Sequence, residues 1–137
     1  MTVNTKPIGV AYEDQSIIGA DRILTDRELG YTAAAQGTVT QATSKSTAVT
    51  LNKSAGRITM NAASLGATTN VSFTLNNSLI STNDVLILNV AASATAASYN
   101  LWVDSLNNGS ASITLRNTTA GALAEAVVIN FALIHCV

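Results

Sequence analysis

The sequence predicts an all-β fold. It reads as an antiparallel β-sandwich or jelly-roll-like domain of about eight strands over residues 37–137, preceded by an extended N-terminal arm over residues 1–36. Three observations carry this. Apolar and polar residues alternate with period two through most of residues 37–137, the pattern of strands with one dry and one wet face. These runs recur every ~8–12 residues with polar turns between them, the spacing of a sandwich or barrel. The charges are segregated: of fifteen Lys, Arg, Asp and Glu residues, eight fall in the first thirty positions.

The arm comes first. Pro7, Gly9, Gly19 and Gly30 punctuate it, and Ile17, Ile18, Ile23, Leu24 and Leu29 are scattered without alternation. Residues 21–29 are compatible with one or two helical turns capped by Asp21. A flexible tail is the plain alternative, but so many large aliphatics favour an arm that orders against a neighbour. Its contact residues are expected to be Ile17, Ile18, Arg22, Ile23, Leu24 and Arg27.

The strands follow. Residues 38–42 and 48–51 place Val39, Val49 and Leu51 on one face. Residues 56–61 put Ile58 and Met60 opposite Arg57 and Thr59, and residues 70–76 put Val71, Phe73 and Leu75 opposite Ser72 and Thr74. Residues 84–91 are apolar on both faces and read as a central strand. A low-complexity Ala/Ser/Thr loop (91–98) leads to a strand at 99–106. Asn107, Asn108 and Gly109 then mark a hairpin into 110–116. Residues 118–123 turn through Gly121. Residues 61–66 are compatible with one helical turn.

The last strand, within residues 125–137, matters most. Val127, Ile129, Phe131, Leu133 and His135 share one face; Val128, Asn130, Ala132, Ile134 and Cys136 share the other. Both faces are mostly apolar, as in a strand covered on two sides. The outer face of a sandwich faces water, so this one needs a second cover, or it is an aggregation hazard. The N-terminal arm, another subunit or both can supply it, and self-association is the economical cover. Val128, Asn130, Ala132 and Ile134 are the expected subunit interface, with Trp102 as an anchor.

Composition excludes several classes. Net charge is −1, so no basic field draws nucleic acid or an anionic membrane. Lys45, Lys53 and Arg57 form the sole local basic group and read as a solvated strand edge. One cysteine, Cys136, permits no disulfide within a chain, and the ligands for a zinc site are lacking; the chain suits a reducing cytoplasm. No charged start leads into an apolar run, so no signal peptide is expected. The apolar stretch at 126–137 contains Asn130 and His135 and is too short to span a bilayer.

Catalytic chemistry finds no purchase. His135 is the lone histidine, and Cys136 points to the opposite face of a strand, so they make no dyad. Glu13, Asp14, Asp21, Asp26 and Glu28 lie in the arm, where no rigid pocket holds them, and they lack the order of a calcium loop. Asp84, Asp104 and Glu125 are isolated near strand ends. No glycine spacing cradles a phosphate. The Asn-x-Ser/Thr matches at Asn70, Asn76, Asn108 and Asn117 are chance in a chain so rich in these residues. The expectation is a protein that is no enzyme and takes no cofactor or metal.

The runs GTVTQATSKSTAVTLNK (37–53), GRITMNAASL (56–65), NVSFTLNNSLISTNDVLILNV (70–90) and SITLRNTTAGALAEAVVINFALI (112–134), with the opening KPIGVAYEDQSIIGA (6–20), resemble small virion structural proteins of tailed bacteriophages. These are capsid decoration (cement) or head-fibre proteins. The resemblance implies a trimeric β-sandwich on the outer surface of the head, made in the host cytoplasm and bound to the major capsid protein. It implies no catalytic residue. The chain has no collagen-like or coiled-coil stalk, which favours a knob-like decoration protein. The alternatives are a head-fibre or a receptor-binding (adhesin) module whose loops at 91–98 and 118–123 contact host glycan, and a small hydrolase, which the lone histidine disfavours.

Overall fold

The computed structural model of the chain describes residues 18–136, which divide after Gly30 into two units. In the first, residues 18–30 form bends and no helix or strand, with Gly19 at a positive φ of 74°. The helical turns expected at 21–29 do not form. So short a segment gains too few hydrogen bonds to offset helix nucleation.

The second unit starts at Tyr31, ahead of the expected boundary at 37, because residues 31–36 are already tied in. The Tyr31 hydroxyl donates to the Leu133 carbonyl, and Gln36 Nε2 donates to the Tyr31 carbonyl at 2.9 Å. A 3-10 turn at Ala33–Ala35 receives Lys53 Nζ on the Ala34 carbonyl at 2.8 Å. Eight strands follow: β1 (Gln36–Thr40), β2 (Val49–Thr50), β3 (Ala55–Thr59), β4 (Asn70–Asn76), β5 (Val85–Ala92), β6 (Tyr99–Asn107), β7 (Ser110–Asn117) and β8 (Val128–Ile134). They form two four-stranded sheets, β1-β3-β8-β5 and β2-β4-β7-β6.

The chain is all-β and sandwich-like, but its sheets are mixed, which corrects the antiparallel expectation. β1 pairs parallel with β3, and β2 pairs parallel with β4. A parallel pair needs a crossover. Here the crossover from β1 to β3 is β2, a strand of the opposite sheet, and the crossover from β2 to β4 is β3. The first four strands thus alternate between sheets, a connection that alternating side chains do not encode. A jelly roll calls for antiparallel neighbours, so these two pairs depart from that part of the expectation. The remaining pairs are antiparallel, including the β6–β7 hairpin, where Asn107 pairs with Ser110 and Gly109 takes a φ of 84°.

The inner rows of both sheets make one core. Ile58, Leu86, Ile129, Phe131 and Leu133 come from the first sheet; Val49, Phe73, Leu75, Ala111, Ile113 and Leu115 come from the second. Gly37 and Gly56 sit opposite each other in β1 and β3 beneath Leu51. A Cβ on Gly56 would lie 2.7 Å from Leu51 Cδ2 and 2.8 Å from Phe131 Cε1, so no larger residue fits.

Two further expectations change. The run at 84–91, read as a central strand, is β5 at the edge of its sheet; β8 is central. Its apolar outward residues Val85 and Ile87 are therefore each 50% exposed. Residues 61–66 make no helical turn. The Ala63 amide donates to Asn61 Oδ1, and Leu65 forms an antiparallel bridge with Leu123.

Buried amides hold the loops. Asn117 Nδ2 donates to the carbonyls of Leu65, Gly66 and Gly121, while its Oδ1 accepts from the Thr119 amide. Gln41 Nε2 donates to the carbonyls of Lys45 and Thr47, and its Oε1 accepts from the Asn61 amide. Asn77 Nδ2 donates to the Lys53 carbonyl. Each satisfies loop backbone that the ladders leave unpaired, which a buried loop requires.

Candidate functional site: the two outward faces

The outward row of β8 is Val128, Asn130, Ala132 and Ile134. It lies between Thr59, Arg57 and Ala55 of β3 on one side and Asn89, Ile87 and Val85 of β5 on the other. These four were grouped from the sequence, and the strand register places them in one row. The result is an apolar patch of Val85, Ile87, Ala132 and Ile134, with Ile134 49% exposed. Arg57 is the one charge on the strands of this face. Beside the patch, an open groove of about 620 Å³ runs past Tyr31, Gln36, Thr38, Arg57 and Asn130.

Trp102 is elsewhere. It lies on the outward face of the second sheet, opposite Thr114 of β7, so one flat contact cannot include it with the β8 row. That second face is polar. Its rows are Asn70, Ser72, Thr74 and Asn76 on β4, and Ser110, Ser112, Thr114 and Arg116 on β7. On β6 the register shifts between Val103 and Ser105, and the bulge lifts Asp104 out of the ladder. Trp102 Nε1 donates to Asp104 Oδ1 at 2.7 Å, and Thr114 and Ser112 donate through their hydroxyls to Oδ2. Ser72 Oγ extends the chain to Thr114 Oγ1 at 2.5 Å. The Thr114 hydroxyl holds the Asp104 carboxyl below its usual range; burial opposes this, and Trp102 and Ser112 reinforce it. Sequence reading placed Asp104 alone near a strand end. Its partners lie on another strand and beyond a bulge, which no local pattern reveals.

A third polar cluster joins β5 to the end of β8. His135 Nδ1 lies 2.7 Å from Asp84 Oδ1, which also accepts from the Cys136 amide at 3.0 Å; the Ser81 amide donates to Oδ2 at 2.7 Å. Burial alone would raise the Asp84 carboxyl. The amide bonds from Cys136 and Ser81, with His135, outweigh it and hold the carboxyl well below the usual range. Sequence reading kept Asp84 and His135 apart because fifty-one positions separate them. Their arrangement clamps two strand ends.

Lys45 overturns the reading of a solvated basic edge. It is 3% exposed, and its Nζ donates to the carbonyls of Asn61 at 2.6 Å and Glu125 at 2.5 Å. Burial pushes its pKa down, and Glu125 partly restores it. An ammonium enclosed by carbonyls is a strap between loops and no longer belongs to a basic patch with Lys53 and Arg57.

Of the arm residues, Ile17 lies outside the described residues. Ile18 is 90% exposed, and Arg22, Ile23, Leu24 and Arg27 are exposed as well. The loop at 91–98 frames an open groove of about 430 Å³ lined by alanine, serine, Val90 and Tyr99. The loop at 118–123 is pinned by Asn117 and Thr119. Among the described residues, no group of three or more His, Cys, Asp and Glu could hold a metal ion, and no helix is long and apolar enough to cross a membrane. In comparisons with known proteins, no protein-family model, curated protein or solved structure matches the chain.

Proposed function

We propose that this chain is a non-enzymatic capsid decoration (cement) protein of the tailed-bacteriophage type. It forms a homotrimer through the outward face of the first sheet, binds the outer surface of the major capsid protein shell through the arm at residues 1–30, and stabilises the head. The observation that carries the reading is the apolar outward face around β8, with half-exposed Val85, Ile87 and Ile134 and one neighbouring charge. Exposed patches of this kind mark protein contacts.

A threefold contact joins two different patches on each copy. The β5 half of this face, carrying Val85 and Ile87, and the β8–β3 half, carrying Ala132 and Ala55, provide them. Finishing the burial of a half-exposed Val or Ile is worth about 1 kcal/mol. Each contact is therefore modest, and many act together on a shell, where linked sites add through effective concentration. The exposed Ile18, Ile23, Leu24 and Leu29 give the arm its own apolar payload, and Arg22 and Arg27 give it ion-pairing groups.

The test is a truncation. A chain lacking residues 1–30 is expected to remain a folded trimer by size-exclusion chromatography with light scattering and to fail to co-sediment with purified capsid shells that bind the full chain. A full chain that is monomeric at micromolar concentration sinks the trimer. A truncated chain that still co-sediments sinks the arm.

A further inference from the structure

Trp102 is the sole tryptophan of the chain and stands on an otherwise polar face, 37% exposed. Its indole is not free to turn. The bond from Nε1 to Asp104 Oδ1 fixes the ring, and the Thr114 and Ser112 hydroxyls fix the carboxylate. A ligand therefore meets a platform whose ordering cost has already been met in folding. Each carboxylate oxygen accepts about two hydrogen bonds. Asp104 Oδ1 takes one, from Trp102, and keeps one position for a ligand donor. Asn100, Ser72, Thr74 and Arg116 flank the ring on the neighbouring positions of β6, β4 and β7.

We propose that this face binds a carbohydrate, with Trp102 stacking on a pyranose ring and Asp104 accepting a hydrogen bond from a ring hydroxyl. The ligand that fits has one apolar face and a rim of hydroxyls, since the site offers one apolar surface and a rim of polar groups. Nucleic acid fits poorly. It would bring phosphates towards Asp104 with Arg116 as the only cation on these three strands, and the chain carries a net charge of −1. An apolar peptide fits poorly too, because it would strip water from the Ser72, Thr74 and Asn100 side chains without pairing them. The site does not depend on the trimer, which uses the other sheet. It gives the receptor-contacting reading a location on a sheet face, away from the loops at 91–98 and 118–123.

The full chain is titrated with maltotriose, lactose and chitotriose, read by the fluorescence of Trp102 and by saturation-transfer NMR. At least one sugar is expected to give a saturable change with a dissociation constant of about 1 mM, the range one stacked ring supports. Trp102→Ala should weaken transfer at least tenfold, Trp102→Phe should retain most of it, and Asp104→Asn should weaken it several-fold, with thermal unfolding confirming that each variant folds. No saturable response from any of the three sugars overturns the proposal. So does undiminished binding by folded Trp102→Ala. Neither result bears on the capsid co-sedimentation of the truncated chain.

Discussion

On the first sheet the outward row of the central strand β8 reads Val128, Asn130, Ala132, Ile134. On the second sheet the outward row of the central strand β7 reads Ser110, Ser112, Thr114, Arg116. Behind them the inner rows are alike: Ile129, Phe131 and Leu133 on β8, Ala111, Ile113 and Leu115 on β7, all buried in one core. Folding thus constrains the inner rows, where period-two burial supplies the driving force. It leaves the outer rows free. One is made of hydroxyls and a cation, and its polar groups are paired or reach water. The other keeps aliphatics that water does not favour, and the proposed trimer is what gives those residues a use.

The comparison breaks most completely from within, because both faces rest on the same core. Gly56→Val places new atoms against the Leu51 and Phe131 side chains and against the Gly37 carbonyl, which is backbone of β1, so the core side chains and the strand must both give way. Overpacking of this kind costs about 2–3 kcal/mol. For a domain of this size that lowers Tm by on the order of 10 °C or more. Calorimetry should show a single cooperative transition at the lower temperature. Two separate transitions would mean that the sheets melt independently and that the shared core is not one unit.

The next effect separates the faces. Ile87→Lys combined with Ile134→Lys puts two charges on the apolar face of the first sheet at half-exposed positions. Stability of the single chain should change by no more than about 0.5 kcal/mol per site. The trimer should fall to monomer in light scattering, and the dependence of Tm on protein concentration should vanish. A double variant that stays trimeric would place the subunit contact elsewhere, with Trp102 on the second sheet the first candidate.

Much of this was legible in the sequence, and the limits have physical causes. The strand positions follow from alternation, which is local; the hairpin at Asn107–Ser110 follows from Gly109, whose positive φ is also local. The β8 outward row was legible for the same reason. What sequence could not supply was sheet membership. Nothing in residues 49–50 says that β2 belongs to the opposite sheet, so the parallel pairs and the edge position of β5 were missed. Lys45 was misread because its charge suggests water, while its carbonyl partners at Asn61 and Glu125 lie 16 and 80 positions away. The Asp104 cluster was missed because a bulge shifts its register. A carboxylate within two positions of a tryptophan on a polar strand was the one available signal.

The smallest effect is the acid limb of stability, and it sharpens the comparison by giving each face its own carboxylate. Asp104 on the second sheet is lowered by the Thr114 hydroxyl, and Asp84 beside the first is lowered by amide bonds that overcome its burial. A carboxyl whose folded pKa is depressed binds fewer protons in the folded state. Its contribution is present above the unfolded value of about 3.9 and is lost as pH falls through the folded value. Stability should therefore hold level from neutral pH to about pH 4 as far as these two groups are concerned, and decline below it. Asp104→Asn should flatten part of that decline and leave the oligomer unchanged. Asp84→Asn should flatten another part and also loosen the trimer, because Asp84 clamps the strand ends that carry Val85 and Ile134. Denaturant melts across pH 2–7 with light scattering in parallel would read both. If the two variants behave alike, the carboxylates do not report on separate faces, and the division drawn between the sheets fails at its finest grain.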